Sequence, residues 1–192
     1  MKSLKSLALG AVVALSLGAA SSASAAVPWD PQNTNVTGTS SNSVLTDSNG
    51  NTVTCTSAST TLRAVGDLAT AQGAHNPVAY SNCSNSLIPG ATSVTTFGTW
   101  TFTATSTTSV DARAVRDPSG AVAVISLPLG CTITVDGPVS IPNNGWNNAT
   151  HQLEINSSVS FPVTQSATCF GIVGATARLS GTFTLPSSVI IT

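Results

Sequence analysis

Charge is what this sequence most lacks. Asp, Glu, Lys and Arg together make up 7% of its 192 residues, and its lysines are Lys2 and Lys5. Beyond residue 5 there is no amine for Schiff-base chemistry, and no basic stripe that would grip a nucleic acid or an anionic bilayer. Histidine is nearly missing too, with only His75 and His151. No C-x-x-C or Cys/His cluster offers the ligand spacing of a zinc site. No G-x-S-x-G elbow marks a nucleophile, and no glycine-rich loop marks a phosphate cradle. His151 and Glu154 stand three apart, which on a strand points them to opposite faces. Most of the aspartates fall at turns, where a side chain bonding its own backbone accounts for them. These absences leave no catalytic residue to name and no cofactor to expect, so the sequence reads as that of a non-enzyme.

What is present begins with a leader. Lys2 and Lys5 precede an almost unbroken Ala/Leu/Val/Gly run from Leu7 to Ala20, too short to span a bilayer, and Ala23-Ser24-Ala25 is a small-x-small cleavage site. The expected cut after Ala25 leaves 167 residues, with four arginines against seven carboxylates, a net charge of −3. No later run is apolar enough for a membrane span. Cys55, Cys83, Cys131 and Cys169 all lie beyond the leader. An even number in an exported chain reads as two disulfides. Three pairings are possible. The sequential one, Cys55–Cys83 and Cys131–Cys169, is favoured because it staples neighbouring strands within each half. The protein is expected to work outside the cytoplasm, in the periplasm, at the surface or in the medium.

The pattern beyond the leader is that of strands. Residues 26–43, rich in Pro, Asn, Thr and Ser, read as an extended lead-in with room for one edge strand, and 44–192 as one β domain with a hint of two similar halves. Ser43–Thr46 and Thr52–Cys55 flank Asp47-Ser48-Asn49-Gly50, a hairpin signal because Asn and Gly tolerate positive φ. The oxygen-rich run Asp47–Asn51 also resembles part of a calcium loop, but lacks its distal glutamate. Residues 60–65 are a further strand with Leu62 and Ala64 inward, and 66–77 reads as loop. Residues 93–106 give the clearest alternation, with Trp100, Phe102 and Ala104 on one face. Phe97 is out of phase, and Gly98 is the expected bulge. Residues 109–115 and 121–127 form a second candidate hairpin around Asp117-Pro118-Ser119-Gly120. Cys131–Asp136 alternates. Asn143–Asn148 reads as a polar loop, His151–Ile155 and Ser158–Thr164 as strands, and Ala175–Leu185 as the last strand. No window has helical periodicity of useful length. The fold class is therefore all-β, an antiparallel β-sandwich or open barrel with two disulfides.

One residue suggests a site. Trp146, in the Asn-rich loop with Asn147 and Asn148, could stack on a sugar or an apolar ligand if exposed, or anchor the core if not.

The leader Met1-Lys2-Ser3-Leu4-Lys5-Ser6-Leu7, Val53-Thr54-Cys55, Phe97-Gly98-Thr99-Trp100, Leu129-Gly130-Cys131-Thr132-Ile133, Gly145-Trp146-Asn147-Asn148-Ala149-Thr150 and the late Cys169 resemble the secreted activator proteins of alkane oxidation (PRA type). That resemblance implies an extracellular, non-catalytic accessory protein that promotes growth on long-chain alkanes by helping to disperse oil. It carries no catalytic residues over. The expected partner is a hydrophobic substrate or a cell-surface component. Few charges suit such work, because burying charge is the costly step at an oil–water boundary. The same surface would serve a structural or adhesive protein of the cell envelope or biofilm matrix, and Trp146 would serve a carbohydrate-binding module.

Overall fold

The computed structural model describes residues 27–73, 75–116 and 120–192. The expected leader and cleavage site, and most of the expected turn at 117–120, lie outside them. The described chain is built from antiparallel strands: β1 (Trp29–Asp30), β2 (Asn35–Ser40), β3 (Ser43–Asp47), β4 (Thr52–Val65), β5 (Leu68–Gly73), β6 (Val78–Asn85), β7 (Ser93–Thr96) and β8 (Gly98–Ser106). They continue as β9 (Ser109–Val115), β10 (Ala121–Ser126), β11 (Thr132–Asp136), β12 (Val139–Asn147), β13 (Gln152–Glu154), β14 (Phe161–Gln165), β15 (Thr176–Thr184) and β16 (Ile190–Ile191). Two single 3-10 turns, Pro128–Gly130 and Ala167–Cys169, are the only helical pieces among them. Among the described residues no helix is long and apolar enough to cross a membrane. The all-β antiparallel class is thus what the chain adopts, with the disulfides Cys55–Cys83 and Cys131–Cys169.

The sheet is organised on a three-ply spine. β4 pairs along one edge with β2 (Asn35↔Arg63) and β3 (Leu45↔Val53), and these pair in turn with β15 (Thr39↔Thr184, Leu45↔Leu179). Each long outer ply then splits. The Val65 end of β4 passes to β5, β8, β9, β12 and β13, which returns to β15 at Leu153↔Phe183. The other end passes to β6, then by the bridge Cys83↔Thr92 to β7, and on through β10, β11 and β14 to β15 at Phe161↔Ala177. Two closed circuits, an upper and a lower lobe, therefore share one spine, and their strands interleave in sequence. Both disulfides lie in the lower lobe, Cys55–Cys83 directly across the β4–β6 ladder.

Local chemistry explains most elements. The Asp47–Asn51 turn closes the β3–β4 hairpin in the expected register, Thr46 opposite Thr52. Leu62 and Ala64 point inward as their alternation requires, at 3% and 5% exposure. Two expectations fail for a common reason, the split between lobes. Residues 93–106 are two strands rather than one bulged strand, because β7 pairs with β10 below and β8 with β5 and β9 above. Gly98 is the crossing point. Its φ is +80°, and a Cβ there would sit 2.2 Å from the Val115 carbonyl oxygen, so only glycine fits. Residues 109–115 and 121–127 form no hairpin. β9 is held between β8 and β12, and β10 between β7 and β11, so the ladder each would offer the other is already taken. Residues 68–73, read as loop, form β5. Within 27–43 the expected edge strand is instead internal, since β2 pairs with β4 over six residues and with β15 at Thr39, and Trp29 is 2% exposed.

Candidate functional site

The structure places Trp146 inside the fold. The expected polar loop is the end of β12, which runs through Asn147 because Gly145, Trp146 and Asn147 pair with Glu154, Leu153 and Gln152 of β13. Trp146 is 4% exposed and packs edge-on against Trp29, ring centroids 5.3 Å apart. Its indole N–H donates to Asn148 Oδ1 at 2.6 Å. The same Oδ1 accepts from the Ile191 N–H, while Asn148 Nδ2 donates to the Ile191 carbonyl. Asn148 therefore ties the indole to β16. Asn147 Oδ1 accepts from the backbone N–H groups of Ala149 and Thr150, an Asx-type turn. The fold does not present Trp146, Asn147 and Asn148 as an exposed stacking surface: the indole is buried against Trp29, and the two asparagine amides bond groups of the chain itself.

The calcium-like run is also internally engaged. Asp47 Oδ1 accepts from the N–H groups of Asn49 and Asn51, and Oδ2 from Asn51 Nδ2 and the Gly174 N–H. Partial burial pulls this carboxyl upward, but the hydrogen bonds outweigh it, and the net effect is a pKa below the usual 3.8. With four donors on its two oxygens, Asp47 is a clamp. Among the described residues no group of His, Cys, Asp and Glu could hold a metal ion. His151 Nδ1 lies 2.9 Å from the Val189 carbonyl oxygen, and His75 packs edge-on against Phe97.

A different feature stands out. Among the described residues the large apolar side chains that remain exposed are Val65, Leu129, Phe170 and Ile172. Three of them share one tip. Leu129 is 78% exposed, Phe170 81% and Ile172 38%. Leu129 lies in the first 3-10 turn and Phe170 caps the second, and the two turns pack against each other. Val65 is remote. It closes β4, thirteen residues beyond Thr52, or about 40 Å of strand away from the Asp47–Asn51 turn that holds Ile172.

The tip is rigidly held. Cys131 and Cys169, both 0% exposed, join its two segments by a disulfide. The Ser166 N–H donates to the Thr132 carbonyl, the Thr132 N–H to Ser166 Oγ, and Thr168 Oγ1 to the Gly130 carbonyl at 2.8 Å. The Ile172 carbonyl accepts from Asn49 Nδ2 and Asn51 Nδ2. The Asp47 clamp on Gly174 fixes the far end of the loop.

Its backbone is also unusual. Seven non-glycine residues among those described have positive φ, and four are Asn33, Asn76, Asn82 and Asn143, the type that tolerates this region best. Leu129 and Phe170 are there too, at +61° and +53°. A bulky apolar residue in the left-handed region costs about 1–2 kcal/mol. The fold thus accepts strain twice in order to point two apolar side chains at solvent. No charged residue occurs in 126–132 or 165–173, so the tip offers neutral, apolar contact. The signal in the sequence was Leu129-Gly130-Cys131 and Cys169-Phe170-Gly171: a large apolar residue before glycine, beside a cysteine, occurring twice.

No protein-family model, curated protein or solved structure matches this chain.

Proposed function

We propose that this is a secreted, non-catalytic accessory protein that works at hydrophobic surfaces and promotes alkane oxidation by adsorbing to the hydrocarbon–water boundary. The observation that carries the reading is the Leu129–Phe170–Ile172 tip, exposed and uncharged on a disulfide-held support. Apolar patches kept at the surface mark interaction sites, and strain concentrated at one place on a structure points the same way. Two disulfides and the absence of a membrane-spanning helix among the described residues fit an extracellular protein. The low charge supports the same reading, since little must be desolvated as the surface meets oil. Assembly through open sheet edges finds less support, because each strand of the main sheet has a ladder or bridge partner on both sides.

The test has two arms. Purified protein should lower the tension of a hexadecane–water interface and slow coalescence of a hexadecane emulsion. A strain lacking the gene should grow more slowly on hexadecane, and added protein should restore growth. A protein that leaves the interface unchanged, together with normal growth of the deletion strain, overturns the proposal.

A further inference from the structure

The interior holds two apolar cavities, one in each lobe. The lower, of about 70 Å³, lies among Leu45, Val94, Ile125, Val135 and Phe161. The upper, of about 30 Å³, lies among Leu62, Phe102, Leu153 and Phe183. Tyr80, Trp100, Ile141 and Leu179 line both, and so lie where the two adjoin.

Every polar side chain on these walls except one is engaged by the protein. Ser43 Oγ donates to Ser40 Oγ, Thr96 Oγ1 to the Val78 carbonyl, Thr60 Oγ1 to the Pro77 carbonyl, and Trp100 Nε1 to the Phe97 carbonyl. The exception is Tyr80, the only tyrosine of the chain. Burial raises its phenol well above the ordinary value, and among the described residues no hydrogen bond reaches it. Among the described residues no polar side-chain atom that is fully sealed lacks a partner. The unpartnered hydroxyl therefore opens onto space, and the half-buried Tyr80, packed against the core, lines both cavities. A dry apolar chamber with one unused donor is matched by a molecule that is apolar except for a single oxygen.

We propose that the paired cavities bind a short linear alcohol, its chain in the lower chamber and its oxygen accepting from the Tyr80 hydroxyl. The size follows from volume. A cavity of about 150 Å³ takes benzene, with its six carbons, so 70 Å³ takes about three non-hydrogen atoms, and the two chambers together about four. This proposal stands apart from the adsorption reading, since the tip and the chambers share no residue.

The test is methyl NMR on the purified, disulfide-intact protein, with 1-propanol as the probe and n-butane, which has the same four non-hydrogen atoms, as the oxygen-free comparison. The expected result is intermolecular NOEs from the alcohol to the Val94 and Ile125 methyls, with weaker binding of butane. Tyr80→Phe, which keeps the ring in place, should reduce the affinity for 1-propanol about three- to tenfold and leave butane unchanged. Absence of NOEs to these methyls overturns the proposal, as does contact confined to Leu129 and Ile172. Equal binding of butane and 1-propanol with no effect of Tyr80→Phe overturns the role given to the hydroxyl.

Discussion

Replacing Leu129 and Phe170 together by asparagine should make the protein more stable and less able to adsorb. The first effect comes from the backbone. Both residues hold positive φ, at +61° and +53°, where asparagine is tolerated and large apolar side chains are not. Relief of about 0.5–1 kcal/mol at each position is expected. For a domain of this size that raises the melting temperature by a few degrees, at roughly 2–4 °C per kcal/mol. The native state loses little in return, because side chains 78% and 81% exposed bury almost nothing against the fold. The second effect comes from transfer. Moving a fully exposed Leu or Phe side chain out of water is worth about 2 kcal/mol. The two tip side chains together should therefore supply about 3 kcal/mol of adsorption energy, on the order of a hundredfold in partition coefficient. The assay is the partition of the parent and variant proteins onto hexadecane droplets across a concentration series, beside their thermal melts. Opposite movement of the two readouts is the signature, because a damaged protein loses both. A variant with a raised melting temperature and undiminished partition would refute the assignment of the tip as the adsorbing site. A lowered melting temperature would refute the claim that the fold carries strain there.

The disulfides should differ in accessibility. Cys131 and Cys169 are both fully buried, while Cys83 is half-buried, so mild reductant under native conditions should open Cys55–Cys83 first, as read by differential alkylation and mass spectrometry. Simultaneous opening would contradict this. Removing the second bridge by Cys131→Ala with Cys169→Ala should cost up to about 4 kcal/mol on the chain-entropy estimate and should weaken droplet partition as well, since the tip loses its clamp. Gly98→Ala should destabilise by about 3 kcal/mol or more, measured by urea denaturation, because a Cβ meets the Val115 carbonyl at 2.2 Å and φ is +80°. A change under 1 kcal/mol would show that the crossing between lobes can relax. Acidification should loosen the tip. The Asp47 carboxyl is held below 3.8 in the folded chain, so its contribution is present above that value and is lost as pH falls through the lowered one. Hydrogen exchange at Gly174 should then quicken at low pH in the parent and be fast and nearly pH-independent, after correction for intrinsic rates, in Asp47→Asn. Identical pH profiles would remove Asp47 as the clamp.

Several of these features were legible before any fold was known. The all-β class follows from period-two alternation in segments such as Thr132–Asp136, where Ile133 and Val135 have to face inward whatever the partner strand. The β3–β4 hairpin follows from a turn whose residues tolerate positive φ, and the pairing of Cys55 with Cys83 from proximity along the chain. These are local matters, decided by neighbours within a few residues. Trp146 was not legible, because an indole beside asparagines looks the same in sequence whether Trp29, 117 positions earlier, covers its face or solvent does. Neither was the failure of residues 109–127 to form a hairpin, which depends on partners supplied by β7, β8, β11 and β12.

The chain by itself determined that it would be weakly charged, strand-forming and bridged by cysteine pairs, because composition and short-range pattern carry those properties. Only the tertiary structure decided where apolar side chains would remain uncovered. Most of the large ones had a strand to pack against once the two lobes closed on their shared spine. Leu129 and Phe170 did not, because a disulfide and a set of backbone hydrogen bonds hold them at the end of the lower lobe in a conformation their own side chains disfavour. Exposure is a property of the whole packing, so the feature on which the proposed function rests could be read only after the fold.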